Sequence, residues 1–167
     1  EAHAVVASAL DRGMRYIDTA PLYGFGRSEQ LVGEALAWVP RESYIISTKV
    51  GRVVEDAPAE FEAMPEGMWP DTGTRKVVLD FSRDAIRRSL VESLERLRLD
   101  HVDIAYIHDP DDHLDQAIAE AYPALVELRD EGLVRAIGAG MTDPTALARL
   151  VRATQLDCIL IAGRYTL

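Results

Sequence analysis

Cysteine is almost missing from this chain: Cys158 stands alone. A single thiol excludes an internal disulfide and any CxxC metal or redox motif. Lysine is nearly as scarce, with 2 Lys against 16 Arg, and basic charge as a whole is short, 18 Lys and Arg against 28 Asp and Glu. A net charge of -10 makes sequence-blind binding to nucleic acid or an anionic membrane a poor expectation. No apolar run approaches the roughly 20 residues that span a bilayer. The first residues lack the basic stretch and long apolar run of a secretory signal. The expectation is a soluble protein of a reducing compartment, the cytoplasm. Also missing is a G-x-G-x-x-G phosphate turn after any apolar segment; Gly24-Phe25-Gly26 is too isolated to count as one.

What is present is an ordinary domain's worth of chain, 167 residues of which 48% are apolar, enough for a real core. Five short segments rich in Ile, Val and Tyr read as strands: 14–17, 44–47, 102–107, 134–137 and 157–162. Their near-continuous apolarity is the pattern of covered parallel strands. Helical patterns lie between them. The first covers 2–10. The second covers 28–37, with Ser28 as a possible cap. Ser82 is placed to cap the third, in which Ile86, Leu90, Leu94 and Leu97 recur at helical spacing. The fourth covers 115–130 and is stopped by Gly132, and the fifth covers 145–154, opened by Asp143-Pro144.

Strict alternation of helix and strand predicts an α/β fold with a parallel sheet and right-handed crossovers. Without a phosphate turn, a (β/α)8 TIM barrel is preferred over an open doubly wound sheet. A whole barrel takes about 250 residues. Five strands amount to an incomplete portion, about five βα units in one domain over 1–167. The chain opens on Glu1 in a helical pattern and ends at Leu167 in a strand, which predicts a piece of a longer protein. Strand starts are spaced by about one βα unit except for the second gap. Its extra residues predict a long loop at about 52–80. That loop holds Phe61, Met64, Met68 and Trp69, which either form a hydrophobic satellite or line a substrate pocket.

Ligands of parallel α/β folds bind at the carboxyl ends of the strands. The first segment ends in Asp18, with Tyr23 five residues on; the second ends in Lys49; the third ends in His108. Three consecutive strands thus deliver a carboxylate, an ammonium and an imidazole to one rim, with a phenol beside them. In so Arg-biased a chain, a Lys at a strand end suggests a site that wants a compact amine. Each residue has an ordinary reading too: a solvated lysine, a structural histidine, a turn-capping Asp18, a packed Tyr23. His108 and His113 with Asp109, Asp111 and Asp112 allow a metal reading. However, the spacing is not a helical i, i+4 pair, and the acids read better as helix-start charges, so no metal is expected. Cys158 reads as a buried thiol.

The stretch from Gly13 to Gly24, GMRYIDTAPLYG, continued by Gly26, Ser28-Glu29 and Gly33, resembles the aldo-keto reductase superfamily. So do Ile46-Ser47-Thr48-Lys49-Val50, the run LRLDHVDIAYIH from Leu97 to His108, and Gly138-Ala139-Gly140-Met141. Finer cues resemble its aldose 1-dehydrogenase branch, which includes L-fucose and D-threo-aldose dehydrogenases, with pyridoxal 4-dehydrogenase a similar relative. These are Asp80-Phe81-Ser82, His108-Asp109-Pro110 and the C-terminal Ala162-Gly163-Arg164-Tyr165-Thr166-Leu167.

The resemblance implies a (β/α)8 barrel using NADP or NAD, with an aldose or small aldehyde as substrate. It implies that Asp18, Tyr23, Lys49 and His108 form a catalytic tetrad. A phenol ordinarily holds its proton to about pH 10, and a nearby ammonium favours the anion. Asp18 would hold the ammonium, and Tyr23 and His108 would bind the substrate oxygen, with Trp69 as a further substrate contact. Asp18, Met141 and Thr142 are the implied cofactor contacts. Here the chain departs from the pattern: Gly140-Met141-Thr142 stands where many members have Ser-Asn, and Ala162 stands near the place of a glutamine. Two other classes remain open on sequence grounds, a regulatory barrel that binds nicotinamide nucleotide without turnover and a metal-dependent hydrolase built on His108 and His113. The sequence leaves oligomeric state and the choice between NAD and NADP open.

Overall fold

A computed structural model describes residues 2–56 and 75–164. In chain order the elements are α1 (Ala2–Asp11), β1 (Tyr16–Asp18), α2 (Arg27–Leu36), β2 (Ile45–Val50), β3 (Arg52–Asp56), β4 (Arg75–Leu79) and α3 (Arg83–Leu97). They continue with β5 (Val102–His108), α4 (Leu114–Gln116), a π turn (Ala117–Ala121), α5 (Tyr122–Asp130), β6 (Val134–Met141), α6 (Pro144–Ala153) and β7 (Cys158–Ile161). Short 3-10 turns precede β2 and α4.

The main sheet has five strands in the order β1-β2-β5-β6-β7, and every neighbouring pair is parallel. Each strand is added on the same side of the one before it. With right-handed crossovers, an order that never reverses puts every connecting helix on one face. The helices pack on one another in sequence order: α1 on α2, α2 on α3, α3 on α5. That winding is the barrel's; a doubly wound sheet must reverse its order to cover both faces. The fold is thus part of a (β/α)8 barrel, as the absence of a phosphate turn predicted. Among the described residues β1 and β7 are each paired on one side only.

The outer face of the sheet and the inner faces of the helices make the core. Ile46, Val50, Ala105, Ile107, Ile137, Ala139 and Met141 meet Ile86, Leu90, Leu94 and Leu97 of α3, Leu125 and Leu128 of α5, and Leu147 and Leu150 of α6. Each fully buried aliphatic side chain contributes about 1.5–3 kcal/mol relative to exposure. The predicted α3 stripe is entirely buried. Its N-cap is Ser82, whose Oγ accepts from Ala85 N at 3.4 Å. Asp143 caps α6 through Thr145 N at 2.7 Å. After α5, Leu133 N returns to Leu128 O at 2.9 Å across Gly132, whose φ is +82°. That left-handed turn favours glycine and ends the helix.

Three local expectations need correction. Strands β2 and β6 run on to Val50 and Met141, longer than their apolar patterns suggested. Ser28 does not cap α2; Gly26 holds that position at φ 87°, and the Ser28 hydroxyl bonds Thr19 Oγ1 at 2.9 Å. The stretch 52–80 is not wholly loop. Its two ends, β3 and β4, form an antiparallel ribbon pairing Val53 with Val78 and Val54 with Val77, and Glu55 opposite Lys76 makes an ion pair at 3.6 Å. Two short strands separated by 18 residues carry no hairpin signal in sequence. Phe61, Met64, Met68 and Trp69 lie outside the described residues.

Candidate active site

Alternation along the strands sends one set of side chains inward. On β1 these are Tyr16 and Asp18, on β2 Ser47 and Lys49, on β5 Tyr106 and His108, and on β6 Gly138 and Gly140. Apolar outward neighbours drive each strand onto the helices, which leaves polar groups facing the interior of the sheet. Asp18 pairs with Ser47, Lys49 with Tyr106 and His108 with Gly140 in register, so each chemistry-bearing end lies one inward position further along than the one on the strand before it.

Lys49 is the centre. It is 2% exposed, and its Nζ donates to Asp18 Oδ2 at 2.5 Å and to Thr19 O at 2.9 Å. A buried ammonium needs such partners, because desolvation alone would cost several kcal/mol. The other oxygen of Asp18, Oδ1, accepts from Ser47 Oγ at 2.6 Å. Ser47 Oγ in turn lies 2.9 Å from the Tyr16 hydroxyl, which lies 3.1 Å from that of Tyr106. Asp18 is therefore held through both oxygens.

Tyr23 sits on the loop between β1 and α2, folded by Gly26 N to Pro21 O at 2.8 Å and Ser28 N to Tyr23 O at 3.1 Å. Gly24, Phe25 and Gly26 all have positive φ, a tight turn that explains the two glycines. The Lys49 ammonium lies 4.7 Å from the centroid of the Tyr23 ring. The Tyr23 and His108 rings meet edge to face, 6.1 Å apart at 88°. All four residues singled out at the strand ends and the loop are thus brought together.

His108 is buried, and burial first, then the charges of Arg52 and Lys49, push its pKa down to about 3. Its imidazole is neutral at physiological pH. Nδ1 is buried without a hydrogen-bond partner, and Nε2 lies 3.6 Å from Asp109 Oδ2. Burial raises the pKa of Asp109, against the opposing pull of Arg52.

Met141 does not join this cluster. It is fully buried on the outward face among the core side chains, because its position on β6 alternates with the inward glycines. Its side chain thus faces away from the inner rim, and its carbonyl accepts from Ala162 N at 3.0 Å. Thr142 is exposed just past the end of β6, its carbonyl accepting from Arg164 Nε at 3.2 Å. His113 packs on the Phe81 ring at 5.4 Å instead of facing His108. No group of three or more His, Cys, Asp and Glu among the described residues is placed to hold a metal ion. Cys158 is half-buried, not buried, since β7 has no further strand beside it among the described residues, and partial burial raises its thiol pKa.

Sequence reasoning passed over Ser47, Tyr16 and Tyr106. The signal was available: polar residues at i and i+2 in otherwise apolar strands, Tyr16/Asp18 and Ser47/Lys49, mark one inward face. No helix among the described residues is long and apolar enough to cross a membrane.

Residues 1–167 match the model of the aldo/keto reductase family. The chain is 47% identical to a D-threo-aldose 1-dehydrogenase from a Pseudomonas species, across all of this chain and 52% of the relative. It is 34% identical to a pyridoxal 4-dehydrogenase from Microbacterium luteolum, across all of this chain and 54% of that protein. The chain thus spans about half the length of these curated relatives. Among solved structures it superposes on the holo form of an aldo-keto reductase from Bacillus halodurans with a TM-score of 0.75 at 30% identity, covering 95% of this chain and 47% of that one. Matched by the family model over its whole length, and 47% identical to a relative across all of it, the chain belongs to the aldo/keto reductase family.

Proposed function

We propose that this chain forms the catalytic part of an NAD(P)-dependent oxidoreductase that oxidises an aldose at C1 to its lactone, or reduces a small aldehyde. One observation carries the reading: a buried Lys49, held by Asp18 and Thr19 O, lies against the Tyr23 ring beside a neutral His108. The names of the relatives support the substrate class.

The residues present suit the nicotinamide end of the cofactor. Gly140, opposite His108 in register, presents bare backbone on the inner wall, and the exposed Thr142 beyond it offers a hydroxyl to a carboxamide. A nicotinamide, when bound, supplies or accepts the hydride. The chain's own residues handle the proton. In oxidation the Tyr23 oxygen takes the proton of the C1 hydroxyl while that carbon loses its hydride; in reduction the same phenol donates its proton to the carbonyl oxygen. The Lys49 ammonium lies against the Tyr23 ring, and Asp18 keeps that ammonium in place. The neutral His108 orients the substrate oxygen without adding charge. A single free thiol and the acidic balance suit a reducing, cytoplasmic setting.

The test is dihydronicotinamide absorbance in the full-length barrel that carries this chain. L-Fucose, D-arabinose, L-galactose and pyridoxal are offered with NAD and with NADP. Tyr23→Phe is expected to lower kcat by about 10^2–10^4-fold with cofactor affinity kept. Cofactor binding without turnover of any carbonyl or sugar would instead favour a regulatory nucleotide-binding barrel.

A further inference from the structure

Arg52 and Asp109 come together at the edge of this site. Arg52 opens β3 directly after Gly51, and Asp109 directly follows the last residue of β5, His108. Arg52 Nη2 donates to Asp109 Oδ2 at 3.3 Å, and the same oxygen is the one 3.6 Å from His108 Nε2. Both side chains are half-buried, at 24% and 29% exposure. The backbone at Asp109 is left-handed, with φ 43°, a conformation that Asp tolerates and most residues avoid.

The pair is under-used. A charge-assisted bond between such groups normally measures about 2.7–2.9 Å, so 3.3 Å is loose. Among the described residues Arg52 Nε is buried with no hydrogen-bond partner, and Asp109 is 29% exposed. Buried polar groups in folded proteins are nearly always paired. A part-exposed guanidinium loosely paired with a part-exposed carboxylate, next to His108, suits two neighbouring hydroxyls: one donates to the carboxylate and the other accepts from the guanidinium. A phosphate or carboxylate on the substrate would instead be repelled by Asp109.

We propose that Arg52 and Asp109 form a hydroxyl-reading subsite that sets the preference of this enzyme for polyhydroxylated aldoses over aldehydes without hydroxyls. The inference rests on the oxidoreductase reading above and assigns its substrate class to two residues. It also places one wall of the specificity region on β3, within the stretch 52–80 that the sequence marks as extra.

The experiment compares D-arabinose oxidation with methylglyoxal reduction in the full-length barrel at pH 8, where His108 is neutral with or without Arg52. Asp109→Gly suits the left-handed backbone, Asp109→Asn keeps the shape, and Arg52→Met keeps the stem. The expected result is a fall in kcat/KM for D-arabinose, mainly through KM. In Asp109→Gly and Arg52→Met that fall is at least tenfold larger than the fall for methylglyoxal, and Asp109→Asn shifts the same ratio by a smaller factor. Equal losses on both substrates would overturn the subsite and make the pair a support for His108. An unchanged ratio in all three variants would overturn it as well. Failure of the oxidoreductase reading itself shows separately, as no turnover of either substrate by the unsubstituted protein, and takes the subsite with it.

Discussion

His108 makes the stability of this protein depend on pH in a direction the structure dictates. In the unfolded chain its imidazole titrates at about 6.5. In the fold, burial and the nearby charges of Arg52 and Lys49 bring it to about 3. Between those values the unfolded state binds a proton that the native state refuses, so stability rises with pH through this window and falls as the solution is acidified. Above pH 6.5 both states carry a neutral imidazole and the contribution is flat. At pH 5 the deficit is about 1.5 pKa units, or about 2 kcal/mol relative to pH 8. The assay is urea denaturation of the full-length barrel and its His108→Gln variant at pH 8 and pH 5. The difference between the two proteins isolates His108 from the other titrating groups. The expected outcome is that the parent loses about 2 kcal/mol more than the variant on acidification. Equal losses, or an imidazole proton resonance that titrates near pH 6.5 in the native state, would refute the reasoning and with it the neutral-imidazole role at the rim.

Further perturbations test the supports behind the site. Glu29 is fully buried, accepting from Thr48 Oγ1 at 2.6 Å and from Arg96 Nε at 2.7 Å. Glu29→Gln removes the closest counter-charge of a guanidinium that is 15% exposed and leaves it Ser93 Oγ at 3.1 Å and the more distant carboxylate of Glu92 at 3.7 Å, so a loss of about 3 kcal/mol is expected in urea melts. Replacing both partners with apolar residues should recover most of that loss; a single-variant cost under about 1 kcal/mol would show the pair to be dispensable. Gly33 lies where α2 crosses the end of α3, and an added Cβ would sit 2.4 Å from Leu97 O. Gly33→Ala must push two backbones apart, and a fall in Tm of several degrees is expected, whereas an unchanged Tm would mean the helices can separate freely.

Much of the architecture was legible because it depends on local pattern. Ser82 and the Ile86, Leu90, Leu94, Leu97 stripe specify α3 through capping and a 3.6-residue period. Asp143-Pro144 specifies the start of α6 in the same way. Helix-strand alternation, with no phosphate turn, pointed to the barrel. The β3/β4 ribbon was not legible, because its stability comes from pairing two valine runs far apart in sequence, with Val53 fully buried against the fold. Ser28 matched a cap by spacing, yet Gly26 took that place because the loop around Tyr23 needs three successive positive φ values.

The candidate site divides along the same line. Residue types at strand ends single out Asp18, Lys49 and His108, because a parallel sheet must present those ends on one rim. Spacing alone brought in Tyr23 as a neighbour. Which partners each side chain meets was decided by register. Asp18 faces Ser47, and Lys49 turns its amine to Asp18 and Thr19 O, because β1 and β2 pair with those offsets. The same alternation that puts Gly140 opposite His108 turns Met141 outward into the core. Burial of His108, and so its neutrality, exists only when the strands and the Arg52 ribbon close around it. Sequence by itself determined which chemistry reaches the rim. The tertiary structure decided charge states and facing partners, because desolvation and strand register have no counterpart in an unfolded chain.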